Sequence, residues 1–334
     1  MRSTRNKCGM GGTDAEENLS PKITLRVVIN GATGFIGRAL ADYLLGAGYE
    51  VVALVRNPGK GKTVLGDRVT LIAVDGTNAH GWRDAVEGSS ALINLAGENI
   101  SSGRWTEEKK KGILESRLRA GKAVVETLRQ IKRKPEVLVQ ASAIGYYGPR
   151  LDELLDESSS YGRGFLSRVV QEWEASTAEV ESLGVRRIVI RTGLVLGRTG
   201  GALPRFLLPF RLFLGGPIGS GKQWLSWIHL QDELKAIHFL MEHKDLQGIF
   251  NLTAPEPLRM EDFSRLMGKA MGRPSWLQAP GFALRLLWGE MAEEMLLSGQ
   301  RVVPKRLLGT PHSFLYPDAE SALRNLLVMN EKAA

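Results

Sequence analysis

Val27-Val28-Ile29-Asn30-Gly31-Ala32-Thr33-Gly34-Phe35-Ile36-Gly37 is the stretch that decides the fold. An apolar run stops at a glycine, two more glycines follow at intervals of three, and a helical pattern takes over. A buried strand, a phosphate-cradling turn and a helix N-terminus are written this way. The glycines alone carry little weight. Scattering 38 Gly at random over 334 residues gives roughly half a Gly-x-x-Gly-x-x-Gly per chain.

The flanks supply the specificity. Ile23 to Ile29 is short and mostly β-branched, as expected of a strand buried on both faces of a parallel sheet. After Gly37, residues Ala39, Leu40, Tyr43 and Leu44 fall at helical spacing, and Gly46 with Gly48 ends the helix. A second buried strand, Val51 to Val55, follows at once. Gly31 is expected to permit the tight turn, Gly34 the close approach of a pyrophosphate, and Gly37 close packing of helix on strand. Backbone N–H groups of the helix N-terminus then face the phosphate charge. The competing reading is a glycine-rich turn that holds no ligand.

The 334 residues, 43% apolar and 24% charged, suffice for one large α/β unit with a smaller appended domain. A single cysteine, Cys8, excludes an internal disulfide and fits a reducing compartment. The most apolar stretch, 206–218, is broken by Arg211 and two prolines, so no membrane span is expected. A formal net charge of +8 suits nucleic acid, a membrane surface or phosphorylated ligands, but the basic residues are dispersed. The densest runs, Lys109-Lys110-Lys111 and Lys132-Arg133-Lys134, have no aromatic platform and read as solvated faces. Nucleic acid is therefore not an expected partner. Residues 1–22 read as a disordered tail, with Asp14, Glu16 and Glu17 speaking against a transit peptide. The expected location is the cytoplasm, or the chloroplast stroma for a plant or algal chain.

From residue 23 to about 200, strand candidates (25–30, 51–55, 69–74, 91–95, 136–141, 185–190) alternate with helices (36–46, 80–87, 105–130, 163–183). This predicts right-handed βαβ crossovers and a doubly wound parallel sheet, the Rossmann fold, over residues 23–200. Beyond residue 200, glycine-rich loops interrupt the pattern, and 225–255 is expected to complete the sheet. Residues 201–224 and 256–330 are expected to form a smaller, mostly helical C-terminal lobe for substrate. Gln223, Trp224, Trp227 and the 215–221 loop would line its cleft. Ligands bind beyond the carboxyl ends of such strands. That singles out Arg56, Asp75, Ala96-Gly97-Glu98, Ser142 to Tyr147, and Thr192 to Val195.

An acidic residue about 20 positions after the first glycine ordinarily binds an adenosine ribose. Glu50 fits the count, yet it precedes the second strand and so lies roughly 20 Å from the ligand edge. Arg56 stands at the carboxyl end instead, with Lys60 and Lys62 following. A planar guanidinium there suits a 2′-phosphate and predicts NADP(H); the alternative is a solvated loop arginine.

Gly31 to Gly37, Asn94-Leu95-Ala96-Gly97 and Ser142-x-x-x-Tyr146 together resemble the extended short-chain dehydrogenase/reductases, the epimerase and dehydratase branch. Other stretches are similar to one atypical subfamily, labelled epimerase-family (39U type) or SulA-like cell-division inhibitor, with plant relatives linked to chloroplast division. They include Gly97 to Ile100, Ser116-Arg117, Trp173-Glu174, Arg191 to Gly197, Gly215 to Gly221, Trp227-Ile228-His229 and Pro304 to Leu307. The resemblance implies NADP(H) held by Gly31, Ala32, Thr33, Gly34, Phe35, Ile36 and Gly37. Val55, Arg56, Asp75, Leu95, Ala96, Gly97 and Arg117 would add to that site, with Val195 near the nicotinamide. For Arg117, an ion pair with Glu115 or Glu126 is the alternative. The function implied is an oxidoreductase or epimerase-like enzyme acting on a small carbonyl or sugar-like substrate. The alternative is an NADP(H)-binding regulatory protein with a division-related partner; a homodimer is also among the expected assemblies.

Enzymes of this kind use a Tyr-x-x-x-Lys pair on one helical face, where the ammonium lowers the phenol pKa. No tyrosine here has Lys four residues on, and Pro149 lies between Tyr146 and Arg150. Ser142, Tyr146 and Tyr147 remain as candidate donors to a substrate carbonyl, against the alternative that both tyrosines pack locally. His229, between Ile228 and Leu230, reads as structural. No His/Cys/Asp cluster has metal-ligand spacing, so no metal is expected.

Overall fold

The computed structural model describes residues 25–74 and 81–328. The expected tail at 1–22 and the cofactor candidate Asp75 lie outside the described residues. Seven strands form one sheet: β1 (Arg26–Asn30), β2 (Glu50–Val55), β3 (Thr70–Ala73), β4 (Ala91–Asn94), β5 (Val137–Ala143), β6 (Arg186–Thr192) and β7 (Gly248–Leu252). Their order is β7-β6-β5-β4-β1-β2-β3, and every pairing is parallel. The fold is the expected doubly wound parallel sheet with a helical C-terminal region.

Helices on both faces explain why the strands are continuous runs of Val, Ile and Leu. The first five are α1 (Phe35–Gly46), α2 (Pro58–Leu65), α3 (Trp82–Val86), α4 (Glu107–Gln130) and α5 (Phe165–Ala175). The later ones are α6 (Leu203–Arg211), α7 (Leu230–Glu242), α8 (Met260–Met271), α9 (Gly281–Trp288) and α10 (Ala319–Val328). Leu40 and Leu44 of α1, with Ile237 and Leu240 of α7, bury one sheet face over Val27, Ile29, Val139 and Ile190. Val86 of α3 and Val124 and Leu128 of α4 bury the other, over Val28, Leu92 and Leu138. Strand order reverses where β1 sits between β2 and β4, and a crevice opens beyond the carboxyl ends at such a point.

Three local differences from the sequence expectation have physical causes. Helix α2 stands where no helix was expected: Pro58 occupies its first turn and the Asn57 side chain caps Lys60 N–H (3.0 Å). Only Gly61 and Leu65 are buried, with Val64 partly so, too thin a stripe for periodicity to reveal. The helix expected over 163–183 stops at Ala175, because the Ser176 hydroxyl bonds back to Trp173 O (2.6 Å); a separate 3₁₀ turn, Ala178–Glu181, follows. Trp227–His229 does not enter the main sheet; it pairs with the short strand Leu194–Leu196, and β7 takes the edge position. In the C-terminal region α6, α8 and α10 share a core around Leu203, Phe210, Phe263 and Leu323, whereas α9 buries none of its 8 residues.

Candidate functional site

The glycine turn is built by contact as well as by conformation. Gly31 has φ +90°, and a Cβ there would stand 2.9 Å from Ala96 N at the end of β4. At Gly37 a Cβ would stand 2.2 Å from Gly31 O, so α1 seats on the turn only through glycine. Thr33 and Gly34 are exposed at the tip. Helix α1 starts at Gly34 with no side-chain cap and no acidic residue in its first turn. Its free N–H groups suit an anion, and these features fit a dinucleotide pyrophosphate.

Around this turn the strand ends converge. Asn30 donates to Asn94 (2.9 Å) and Asn94 to Gln140 (2.9 Å), an amide ladder crossing the carboxyl ends of β1, β4 and β5. Val55 is buried at the end of β2, and Arg56 beyond it is exposed, with no partner among the described residues. Glu50 pairs with Arg26 at the opposite end of the sheet, as its position in the chain implied. Leu95 N donates to Asn30 O (2.8 Å), and Ala96 and Gly97 follow it along the crevice.

Arg117 does not pair with Glu115 or Glu126. It reaches back to donate to Glu98 O (3.1 Å), stacks 4.8 Å from the Trp173 ring centroid, and lies against Gly97. Burial lowers its pKa to about 10, opposed by the charge of Glu98. The ring of Phe35 fills a seat left by Gly197, Gly200 and Gly201, where any Cβ would collide with it. Val195, buried nearby on Leu194–Leu196, pairs with Ile228.

The donor candidates divide. Ser142 Oγ, near the end of β5, donates to Glu174 of α5. Glu174 in turn clasps Arg191 of β6, with Oε1 to Nε at 2.8 Å and Oε2 to Nη2 at 2.9 Å. Arg191 is only 1% exposed, opposite Ser142 in the strand register. Burial works against its charge, and the Glu174 hydrogen bonds and charge more than offset this. Arg191 Nη1 donates to the Tyr147 hydroxyl (3.1 Å), which itself donates to Asn251 (2.8 Å). Tyr147 is fully buried, and burial raises its pKa above the usual phenol value, with Arg191 opposing. Its hydroxyl is wholly engaged inside the protein, which is the packing alternative and not the substrate-facing one. Tyr146 differs: half-buried, it has its ring centroid 3.3 Å from the Arg191 guanidinium carbon, and its hydroxyl has no partner among the described residues. Arg150 points away, to Glu153 and Ser160.

Other expected lining residues are placed differently. Trp227 is fully buried and donates to Glu256 O (3.2 Å), so it belongs to the core and not to a cleft wall. Trp224 donates to Asp152 (2.7 Å) between the guanidinium groups of Arg259 and Arg301. Gln223 bonds to Ile218 O and Leu296 O, tying the glycine loop to the C-terminal region. His229 caps α7 through Nδ1 (3.1 Å to Gln231 N), and burial lowers its pKa to about 4, consistent with a structural role.

Residues 27–253 match the family described as NAD dependent epimerase/dehydratase, and residues 279–326 match a domain of unknown function, DUF1731. The chain belongs to the NAD-dependent epimerase/dehydratase family. The chloroplastic SDR39U1 homologue of Arabidopsis thaliana, named an epimerase family protein, is 38% identical over 91% of this chain and 87% of its own length. The epimerase family protein YfhF of Bacillus subtilis is 36% identical over 91% of this chain and 98% of its own. The crystal structure of human epimerase family protein SDR39U1 with NADPH superposes with a TM-score of 0.81 at 34% identity, covering 92% of this chain and all of that one.

The chain has no Tyr-x-x-x-Lys pair, and the charged groups packed against Tyr146 and Tyr147 are of another kind. Helix α5 contributes a carboxylate, Glu174, and β6 contributes the cation, Arg191. Both were noticed in the sequence only as parts of familiar stretches. The signal available was a charged residue, Arg191, closing an otherwise apolar run, Ile188 to Ile190, which requires a buried counter-charge.

Proposed function

We propose that this epimerase-family protein is an NADP(H)-dependent oxidoreductase or epimerase-like enzyme acting on a small carbonyl or sugar-like substrate. Supporting this reading most directly is Tyr146, the one donor candidate whose hydroxyl has no partner among the described residues, stacked on a buried guanidinium at the crevice edge. The nicotinamide, when bound, supplies or accepts the hydride. Gly31 to Gly37, Leu95, Ala96, Gly97 and Arg117 would hold the dinucleotide, Val55 and Arg56 its adenosine end, and Val195 would border the nicotinamide. Tyr146 would donate a hydrogen bond to the substrate oxygen, and the fixed Arg191 charge beneath it favours the negative charge that develops there. Ser142 positions this arrangement through Glu174, and residues 201–224 and 256–330 would wall the substrate side.

Two measurements test the reading. Tyr146→Phe should lower kcat/KM about 100-fold on any carbonyl or nucleotide-sugar substrate found by panel screening, with NADPH binding unchanged. Unaltered turnover would remove Tyr146 from the chemistry. Arg56→Ala should weaken NADPH binding about 10- to 100-fold and leave NADH binding unchanged, read by titration; equal affinities in the unsubstituted protein would overturn the NADP(H) assignment. The engagement of Ser142 and Tyr147 inside the protein favours a second reading, a regulatory NADP(H)-binding protein with a division-related partner. Turnover that disappears in Tyr146→Phe counts against it.

A further inference from the structure

The described residues include fifteen large apolar side chains that stand exposed, and nine of them fall in two segments, 208–214 and 276–287. The segments form one surface: Leu277 N donates to Gly215 O (3.0 Å) and Ala279 N to Pro217 O (2.9 Å), and the Arg273 guanidinium lies 4.2 Å from the Phe213 ring centroid. Leu212, Phe213, Leu214, Trp276, Phe282 and Leu286 are each 54–76% exposed, and Phe282 also borders a cavity of about 440 Å³ with Gly281, Arg285 and Leu297. Isolated exposed leucines are ordinary, but a ridge of this extent marks an interaction surface.

Charge selects the occupant. Residues 203–231 and 263–289 together contain seven Lys or Arg and no Asp or Glu. Arg285 is tied to Glu293 (2.7 Å), Arg265 to Asp262 (2.7 Å) and Lys269 to Glu320 (2.8 Å), whereas Arg211 and Arg273 have no acidic partner among the described residues. A second copy of the chain would set this basic surface against itself, a like-charge arrangement that opposes association. A peptide seated in the cavity beside Phe282 would leave Leu212, Phe213, Leu214 and Trp276, which do not border it, uncovered. Aromatic and leucine side chains standing among cations, with no acid between them, match the chemistry of a bilayer interface. We propose that the α6 end, the 212–216 loop and α9 dock on an anionic lipid bilayer surface, with α9 lying in the interface plane. The ridge takes in the start of the region matched by DUF1731 and uses none of the cofactor or donor residues.

The test is flotation of the full chain with vesicles of equimolar phosphatidylcholine and phosphatidylglycerol. The chain should float with these and not with phosphatidylcholine alone, and salt should release it. Arg211→Gln with Arg273→Gln should lower partitioning about thirtyfold, and Phe282→Ser with Leu286→Ser at least about tenfold, with urea unfolding reporting that each variant is folded. Should a variant not fold, quenching of tryptophan emission in the unsubstituted protein by brominated lipid decides: quenching supports docking and its absence overturns it. Equal partitioning of folded variants also overturns the proposal. So does a dimer, seen by sedimentation velocity, that Phe282→Ser with Leu286→Ser abolishes while vesicle partitioning is unchanged.

Discussion

Arg191→Met is expected to lose about 3–5 kcal/mol of stability in urea unfolding, one of the two largest single-site effects expected in the protein. The loss comes less from the removed attraction than from what stays behind. Among the described residues only the Ser142 hydroxyl would still donate to the Glu174 carboxylate, and Tyr147 would lose its donor. Removing both charges should therefore be milder. Arg191→Met with Glu174→Leu is expected to recover most of the stability, because desolvating a buried ion pair consumes most of its Coulombic gain. The paired variant also separates folding from function: it should bind NADPH and yet show the same loss of turnover as Tyr146→Phe. A single variant within about 1 kcal/mol of the unsubstituted protein would show that the pair is not buried as described.

Glu233→Gln is expected to stabilise the protein near pH 8 by about 3–4 kcal/mol and to leave it little changed near pH 4. Glu233 lies on the core face of α7, fully buried; Thr192 donates to its Oε1 (2.8 Å), and Oε2 has no partner among the described residues. Burial raises its pKa to about 8 from 4.5, only partly opposed by the Thr192 hydrogen bond. The unfolded chain releases this proton near pH 4.5 and the folded chain near 8. Folding therefore binds a proton between those values, and stability falls as pH rises through the interval, levelling off above it. Glutamine accepts the Thr192 hydrogen bond and cannot ionise, so the slope attributable to this group should vanish. Asp232 and Glu157, whose pKa values burial also raises, would leave a smaller slope of the same sign in both proteins. Urea midpoints measured near pH 5 and pH 8 for the two proteins decide the matter, and parallel pH profiles would exclude a buried neutral Glu233.

The glycine turn and the alternation of apolar runs were legible because both follow from local rules. A glycine at φ +90° and a strand buried on both faces restrict which residue types can stand at each position, whatever the rest of the chain does. Arg56 and Glu50 could be assigned to opposite ends of β2 for the same reason, since a strand fixes the direction of the chain. Helix α2 was missed because its stability rests on a cap and a proline, with little apolar periodicity to show it. Tyr147 and Tyr146 could not be told apart, since adjacent residues on a 3₁₀ turn point in different directions and only the packing around Arg191 shows which is free.

What the sequence determined by itself, then, was the parallel doubly wound sheet and the glycine turn at the end of its first strand, because buried strands and left-handed glycines are constraints each residue meets alone. Only the tertiary structure decided which groups surround the two candidate tyrosines. Ser142, Glu174, Arg191 and Asn251 come from four separate elements. Their assembly answers the electrostatic demand of one buried guanidinium, and that demand arises only once the sheet has closed over it.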